Sequence, residues 1–210
     1  MGTFPGTPRT LRGAIVAVDP LSPLSRIVVF QYNPDNVIRT LTPHDTQGSS
    51  HRISGAPTEQ ITMTVELDAT DGLAAADPLA TTTGVAGQLA ALEMLLYPSS
   101  LQVVANTALL LAGTIEILPP DAPLTVLAWG PGRTVPVRLT GLRITEQAFD
   151  TALNPIRAAA EVSAEVLSYN DLPPTDAGYA LFLAHQVTKE VLATTASVSG
   201  ALSAAAGGSL

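Results

Sequence analysis

The chain has 210 residues, no cysteine and a formal net charge of -8, from 18 acidic and 10 basic residues. A chain of this size buries roughly 70% of its unfolded surface and needs no covalent staple. Without cysteine, disulfides, thiolate metal sites and cysteine nucleophiles are excluded. The acidic balance argues against nucleic acid as a partner. The sparsely charged, alanine- and valine-rich composition fits a subunit with large protein interfaces, and equally an alanine-biased genome.

Residues 1–10 are rich in Pro, Gly and Thr with no apolar run, so a flexible N-terminal segment and no signal peptide are expected. Leu11 to Val18 and Arg26 to Tyr32 read as strands separated by the turn signals Asp19-Pro20 and Ser22-Pro23. In the second, Val28, Phe30 and Tyr32 share a face. Asn33-Pro34-Asp35 breaks it, Val37 to Leu41 resumes as a strand, and His44 to Pro57 reads as a polar loop. Ile61, Met63, Val65 and Leu67 alternate with Thr62, Thr64, Glu66 and Asp68, which predicts a strand with one buried face.

Asp68 to Gly84 reads as a long loop, with Asp71-Gly72 and Asp77-Pro78 as turn signals. Gly84 to Tyr97 has helical spacing, with Val85, Leu89, Leu92 and Leu96 on one stripe and Pro98 as the stop. The most apolar stretch, Val103 to Ile115, is interrupted by Asn106. It falls short of the ~20 residues of a membrane span. It is therefore expected to be core, and the chain to be soluble and cytoplasmic with no direct membrane span.

Leu124 to Trp129 predicts a strand ending in a tight reversal at Gly130-Pro131-Gly132. Val135, Val137 and Leu139 are odd-numbered and Leu142 and Ile144 even, so a β-bulge is expected at Gly141. After a polar connection over Asp150 to Pro155, Ala158, Ala160, Val162, Ala164 and Val166 alternate with Arg157, Glu161, Ser163 and Glu165. That pattern predicts a strand whose other face is wet or turned to a water-filled channel. Past Pro173-Pro174, Asp176 is a candidate N-cap for an amphipathic helix over Ala177 to Ala193. Ser197 to Leu210 is an Ala/Gly/Ser tail, read as disordered or captured by a partner.

No motif for catalysis emerges. His44 and His51 share a loop near Asp45 without a zinc spacing, and His185 with Lys189 one turn on reads as a polar helix face. Asp68, Asp71 and Gly72 lack the alternating ligands and distal glutamate of a calcium loop. Gly130-Pro131-Gly132-Arg133 lacks the lysine-serine of a phosphate cradle, and Pro131 removes a donor. There is no G-x-S-x-G elbow. No catalytic, cofactor or metal residues are therefore assigned, and the chain is expected not to be an enzyme.

Two segments carry a resemblance. Phe30-Gln31-Tyr32-Asn33-Pro34, followed by Val37 and Arg39, resembles the start of the tube-protein family of contractile injection systems. Trp129-Gly130-Pro131, Val135-Pro136-Val137-Arg138-Leu139, Thr145 to Asp150 and Leu153-Asn154-Pro155-Ile156-Arg157 resemble its second signature. Thr64 to Thr70 and the helix Leu89 to Pro98 fall between them in the expected order, and the resemblance covers Leu11 to Leu172.

The resemblance implies an α+β, mainly β fold: a phage tail-tube-like barrel or sandwich of two sheets with one flanking helix, followed here by a C-terminal helix. It also implies a structural baseplate component, a homo-hexameric ring joining the spike or hub protein to the inner-tube protein and templating tube assembly. Many relatives carry a LysM-like module after the tube-like part, whereas this chain ends in a helix and a tail. The helix is expected to dock on baseplate or sheath subunits.

The implied structural or interface residues are Phe30, Tyr32, Asn33, Pro34, Arg39, Trp129, Arg138, Phe149, Asn154, Pro155 and Arg157. Asn33-Pro34 and Asn154-Pro155 would fix strand exits, and the three arginines are candidates for contacts to Glu or Asp of a neighbour, the alternative for any one of them being an exposed side chain worth about 0–1 kcal/mol in a salt bridge. Trp129 and Phe149 read as core or interface anchors. The expected organisation is a segment 1–10, a tube-like domain 11–172, a helical appendage 173–196 and a low-complexity tail 197–210. Alternatives are the inner-tube subunit itself and, from a different class, a ligand-binding β-sandwich, for which 4% aromatics offer little lining.

Overall fold

The period-two segments fold as strands, and the computed structural model, which describes residues 11–18, 26–44, 53–98, 100–111, 113 and 123–207, joins them in one sheet. The strands are β1 (Ala14–Val18), β2 (Arg26–Val29), β3 (Val37–Thr42), β4 (Thr58–Asp68), β5 (Leu124–Ala128), β6 (Thr134–Phe149) and β7 (Pro155–Val166). Their spatial order is β2-β1-β5-β6-β7-β4-β3, and every pairing is antiparallel.

The mixed, mainly β class holds, but the expected two sheets forming a barrel or sandwich are corrected to one sheet that does not close. The physical reason lies in β6. Its first residues, to Val137, pair with β5, and from Val137 onward it pairs with β7, stitching both groups of strands together. The bulge falls where the parity change places it: Leu139 faces Ala164 and Gly141 faces Ser163, so Thr140 is the extra residue.

One face of the sheet is continuous core. Ile15 and Ala17, Val28, Leu127, Val135 and Val137, the even residues Ala158 to Val166, and Ile61, Met63, Val65 and Leu67 are all buried. Each fully buried branched side chain contributes about 1.5–3 kcal/mol. Phe30, fully buried just past β2, packs against Trp129 with ring centroids 6.1 Å apart. Their approach leaves Gly13 no room for a side chain: a Cβ there would lie 2.7 Å from both rings. β1 and β2 are shorter than the sequence suggests, and Tyr32, beyond the strand, is exposed rather than in line with Val28 and Phe30.

Helices cover the two ends of this buried face. The stretch expected to be a loop instead forms α1 (Thr70–Ala74) and α2 (Pro78–Thr83). Asp77 caps α2 by accepting from the amides of Leu79 and Ala80, with Pro78 in the first turn, so the turn signal was a helix start. α3 (Ala86–Glu93) follows, burying Leu89 and Leu92. The fourth buried position is Leu95 and not Leu96, because the helix ends at Glu93 and the chain tightens after it.

The entry to α3 is fixed by Gly84 at φ +56°, whose added Cβ would lie 2.1 Å from the Pro155 carbonyl oxygen, and by Val85 N–H donating to that same oxygen at 2.9 Å. α3 thus anchors where β7 begins and also touches β2. The opposite end, where Glu59 of β4 pairs with Val166 at the end of β7, is held to α5 (Ala177–Gly207).

α4 (Ser100–Leu111) corrects a second expectation. Much of the apolar stretch expected to be core is this helix, and Val103, Val104, Leu109, Leu110 and Leu111 are exposed on it. The hydropathy that suggested burial is real, but no strand or helix among the described residues covers those side chains. α5 runs to Gly207, through most of the stretch expected to be a tail. The turn over residues 19–23, most of the polar loop after His44, and His51 lie outside the described residues.

Candidate functional site

The edge strand β3 and the loop before it border a concave surface. Gln31 to Asn36, together with Ile38 of β3 and Thr62, Thr64 and Glu66 of β4, bound a trough of about 790 Å³. It is lined by Arg12, Tyr32, Asp35, Ile38, Thr64, Glu66 and Glu161, among others. A second hollow of about 380 Å³ adjoins it, sharing Tyr32 and Glu66.

Two amide side chains hold the loop in place. Asn33 accepts from Gly13 N–H through Oδ1 at 2.8 Å and donates through Nδ2 to the Leu11 carbonyl at 2.7 Å. Gln31 exchanges two hydrogen bonds with the Asp68 peptide, donating at 2.8 Å and accepting at 3.0 Å. Each net bond contributes about 0.5–1.5 kcal/mol. The F-Q-Y-N-P segment is therefore a clasp between the start of β1 and the end of β4.

The outer face carries polar rungs. Arg138 of β6 pairs with Glu165 of β7 at 2.8 Å, beside Gln60 of β4. Arg143 stands opposite Glu161, which is opposite Thr64. Arg157 donates from Nε and Nη2 to Oδ2 of Asp68, at 3.0 and 2.8 Å. Thr70 donates to Asp68 through its amide and hydroxyl, and these bonds, with the Arg157 charge, hold the Asp68 carboxyl below its usual range.

On the buried side, Glu59 is the most enclosed carboxylate, its side chain 7% exposed. Arg39 Nε donates to its Oε1 at 2.5 Å and Lys189 Nζ to its Oε2 at 3.2 Å. Burial raises the Glu59 pKa, but the Arg39 hydrogen bond and the Lys189 and Arg39 charges outweigh that, leaving it lowered. One carboxylate therefore ties edge strand β3, strand β4 and helix α5 together.

His185, one turn before Lys189, is buried, with Nδ1 3.3 Å from the Gly132 carbonyl. This corrects its reading as part of a polar face: the ring points into the body, at the turn between β5 and β6. Desolvation, reinforced by the nearby Lys189 charge, lowers its pKa.

The sequence-selected residues divide cleanly. Phe30, Trp129, Asn33, Asn154 and Pro155 are architectural. Asn154 donates to Asp150 Oδ2 at 2.8 Å and to the Thr82 carbonyl at 3.2 Å, closing the β6–β7 turn onto α2. Asp150, whose carboxyl these and neighbouring amide bonds hold below its usual range, organises the turn. Arg39, Arg138 and Arg157 each find their acidic partner within the chain. Phe149 is 51% exposed at the tip of β6, so it is no core anchor. Pro34 and Tyr32 line the trough. Sequence reasoning did not bring Glu59 and Lys189 together, since they lie 130 residues apart and share no motif.

His44 is exposed at the far end of β3, and among the described residues no group of three or more acidic or histidine side chains is arranged to hold a metal ion. No described helix is long and apolar enough to cross a membrane. Comparison with known proteins finds no family model that matches this chain and no curated protein similar to it.

Proposed function

We propose that the chain is a structural baseplate subunit of a contractile injection system, a ring-forming adaptor that joins the spike to the inner tube and templates tube assembly. The observation that carries this reading is the open sheet. Among the described residues its two ends are the strands β2 and β3, and each exposes apolar side chains: Ile27 and Val29 on one, and Ile38 and Leu41, beside Thr40 and Thr42, on the other. An uncovered apolar edge is a template for pairing, which proteins suppress unless it is used. Repeated head-to-tail pairing of one edge with the other closes a ring when the rotation between copies divides a full turn.

The polar outer rungs of β3, β4, β6 and β7 would then form a hydrated wall. Ile38 and Leu41, and the exposed Phe149, would be buried between copies. The three paired arginines position strands within a copy in this reading.

The test is the amount of this chain relative to the tube protein in purified particles, measured by quantitative mass spectrometry. A small amount per particle, constant as particle length varies, supports the adaptor. An amount that scales with length makes the chain the tube subunit itself, and absence from particles removes the reading altogether.

A further inference from the structure

Helix α5 is long, but its docked part is short. Among its described residues only Gly178, Phe182 and His185 are buried, and every residue from Glu190 to Ser199 is exposed. Gly178 sits against Leu172 and Leu124, where a Cβ would lie 2.7 and 3.0 Å from their side chains. Phe182 meets Tyr169 edge to face, with ring centroids 5.7 Å apart. His185 reaches the Gly132 carbonyl, and Lys189 reaches Glu59. Spaced by four, three and four residues, these positions form one stripe over about three turns. A unit held by so few buried side chains opens at a lower free energy than the sheet beneath it.

His185 is the one ionisable residue of the three that are buried, and cations surround it. Lys189 approaches from its own helix and Arg39 from β3, while the β5–β6 turn presents the Gly132 carbonyl, with Arg133 next in the chain. Glu59 of β4 is the carboxylate facing this cluster, and both its oxygens are engaged, Oε1 by Arg39 and Oε2 by Lys189. The neighbouring acids are occupied elsewhere. Asp171 accepts from Ser168, Asp176 from the Gly178 amide, Glu165 from Arg138 and Glu190 from Gln186.

A neutral imidazole suits this place, since the tautomer protonated on Nδ1 donates to the Gly132 carbonyl and buries no charge. A protonated ring would add a third cation to a carboxylate already shared by two, at a residue only 8% exposed.

We propose that His185 is a proton-operated latch, whose protonation releases the docked turns of α5, Gly178 to Lys189, while the sheet stays folded. Release uncovers Phe182 and Tyr169 and involves neither sheet edge, so the latch does not depend on the ring reading. The sign follows from burial. Desolvation and the Lys189 charge lower the docked His185 pKa from 6.5, so docking is complete above pH 6.5 and weakens as pH falls towards the docked value. Glu59, lowered from 4.5, stays ionised above that value and is not the group that responds.

Hydrogen exchange on the full chain from about pH 7.5 to about pH 5, corrected for intrinsic rates, tests the latch in wild type and His185→Gln. Circular dichroism and thermal melting check folding. In wild type, amides 178–189 should be less protected than those of β4 and β7. Their protection should fall by up to about tenfold per pH unit below 6.5, the slope of one proton, while β4 and β7 stay protected. In His185→Gln, whose side-chain amide can still donate to Gly132, that slope should vanish. Equal protection of α5 and the sheet at every pH overturns the proposal. So does an α5 protection that ignores pH, or a His185→Gln chain that keeps the wild-type slope. Should the variant fail to fold, an NMR titration of the His185 ring in wild type decides. A midpoint below 6.5 that coincides with loss of α5 protection supports the latch, and any other result overturns it.

Discussion

Replacing Glu59 by Gln removes a charge that three elements share. The carboxylate is nearly enclosed, with Arg39 at 2.5 Å and Lys189 at 3.2 Å, whose side chains are 27% and 39% exposed. Breaking a fully buried pair costs about 3–5 kcal/mol, because the abandoned partner keeps an uncompensated charge. Here both abandoned partners already reach water and can rehydrate, and Gln retains one hydrogen-bonding oxygen. The expected loss is therefore smaller, about 1–3 kcal/mol. For a chain of this size that lowers Tm by roughly 2–4 °C per kcal/mol.

Urea denaturation at neutral pH measures the loss, and an unchanged m-value shows that the native state stays compact. pH supplies an independent arm. The folded pKa of Glu59 lies below its ordinary 4.5, so its stabilisation is complete above that value and is lost as pH falls through the folded value. The wild type should lose more stability than Glu59→Gln over that acid range. Hydrogen exchange should show faster opening of both β3 and α5 in the variant, since one group clamps both. A variant within about 0.5 kcal/mol of wild type, with α5 exchange unchanged, would falsify the clamp, since surface substitutions commonly stay within that margin.

Three further outcomes follow from particular contacts. His185 is buried with a pKa lowered by desolvation, so its neutral form favours the folded state above pH 6.5 and this contribution fades below it. Replacing His185 by Gln should flatten the stability profile between pH 6.5 and the folded value, read by thermal melts across that range. Gly84→Ala forces a side chain onto the Pro155 carbonyl at a positive φ, and should cost more than about 3 kcal/mol, seen as a large drop in urea midpoint or failure to fold. Phe149→Ser at the exposed tip of β6 should leave monomer stability within about 0.5 kcal/mol of wild type. In the proposed assembly it should nevertheless reduce ring formation, and intact rings by electron microscopy would remove Phe149 from the interface.

Much of the sheet was legible because strand signals are local. The alternation of Ile61 to Leu67 and of Ala158 to Val166 names the buried face directly, and the parity switch read at Gly141 locates the bulge to within one residue of Thr140. Glycine and proline at 130–132 and Asp150 with Asn154 encode turns in their own backbone preferences and side-chain bonds. The N-cap at Asp77 was equally local, but a short helix and a turn share the same Asp-Pro start, so α2 read as loop.

What sequence could not decide was which apolar surface finds a cover. Val103 to Leu111 is apolar enough for a core and lies exposed on α4, whereas His185 is polar and lies buried, because burial depends on which element arrives opposite. Whether seven strands make one sheet or two likewise turned on β6 pairing with both β5 and β7, a choice made between residues far apart in the chain. The sequence by itself determined the local elements, their buried sides and the turns between them, since those follow from periodicity and backbone preference. Only the tertiary structure decided that Glu59, Arg39 and Lys189 meet and that α5 packs on the body through Phe182 and His185 but is exposed from Glu190 to Ser199, since long-range pairing leaves no periodic trace in the chain.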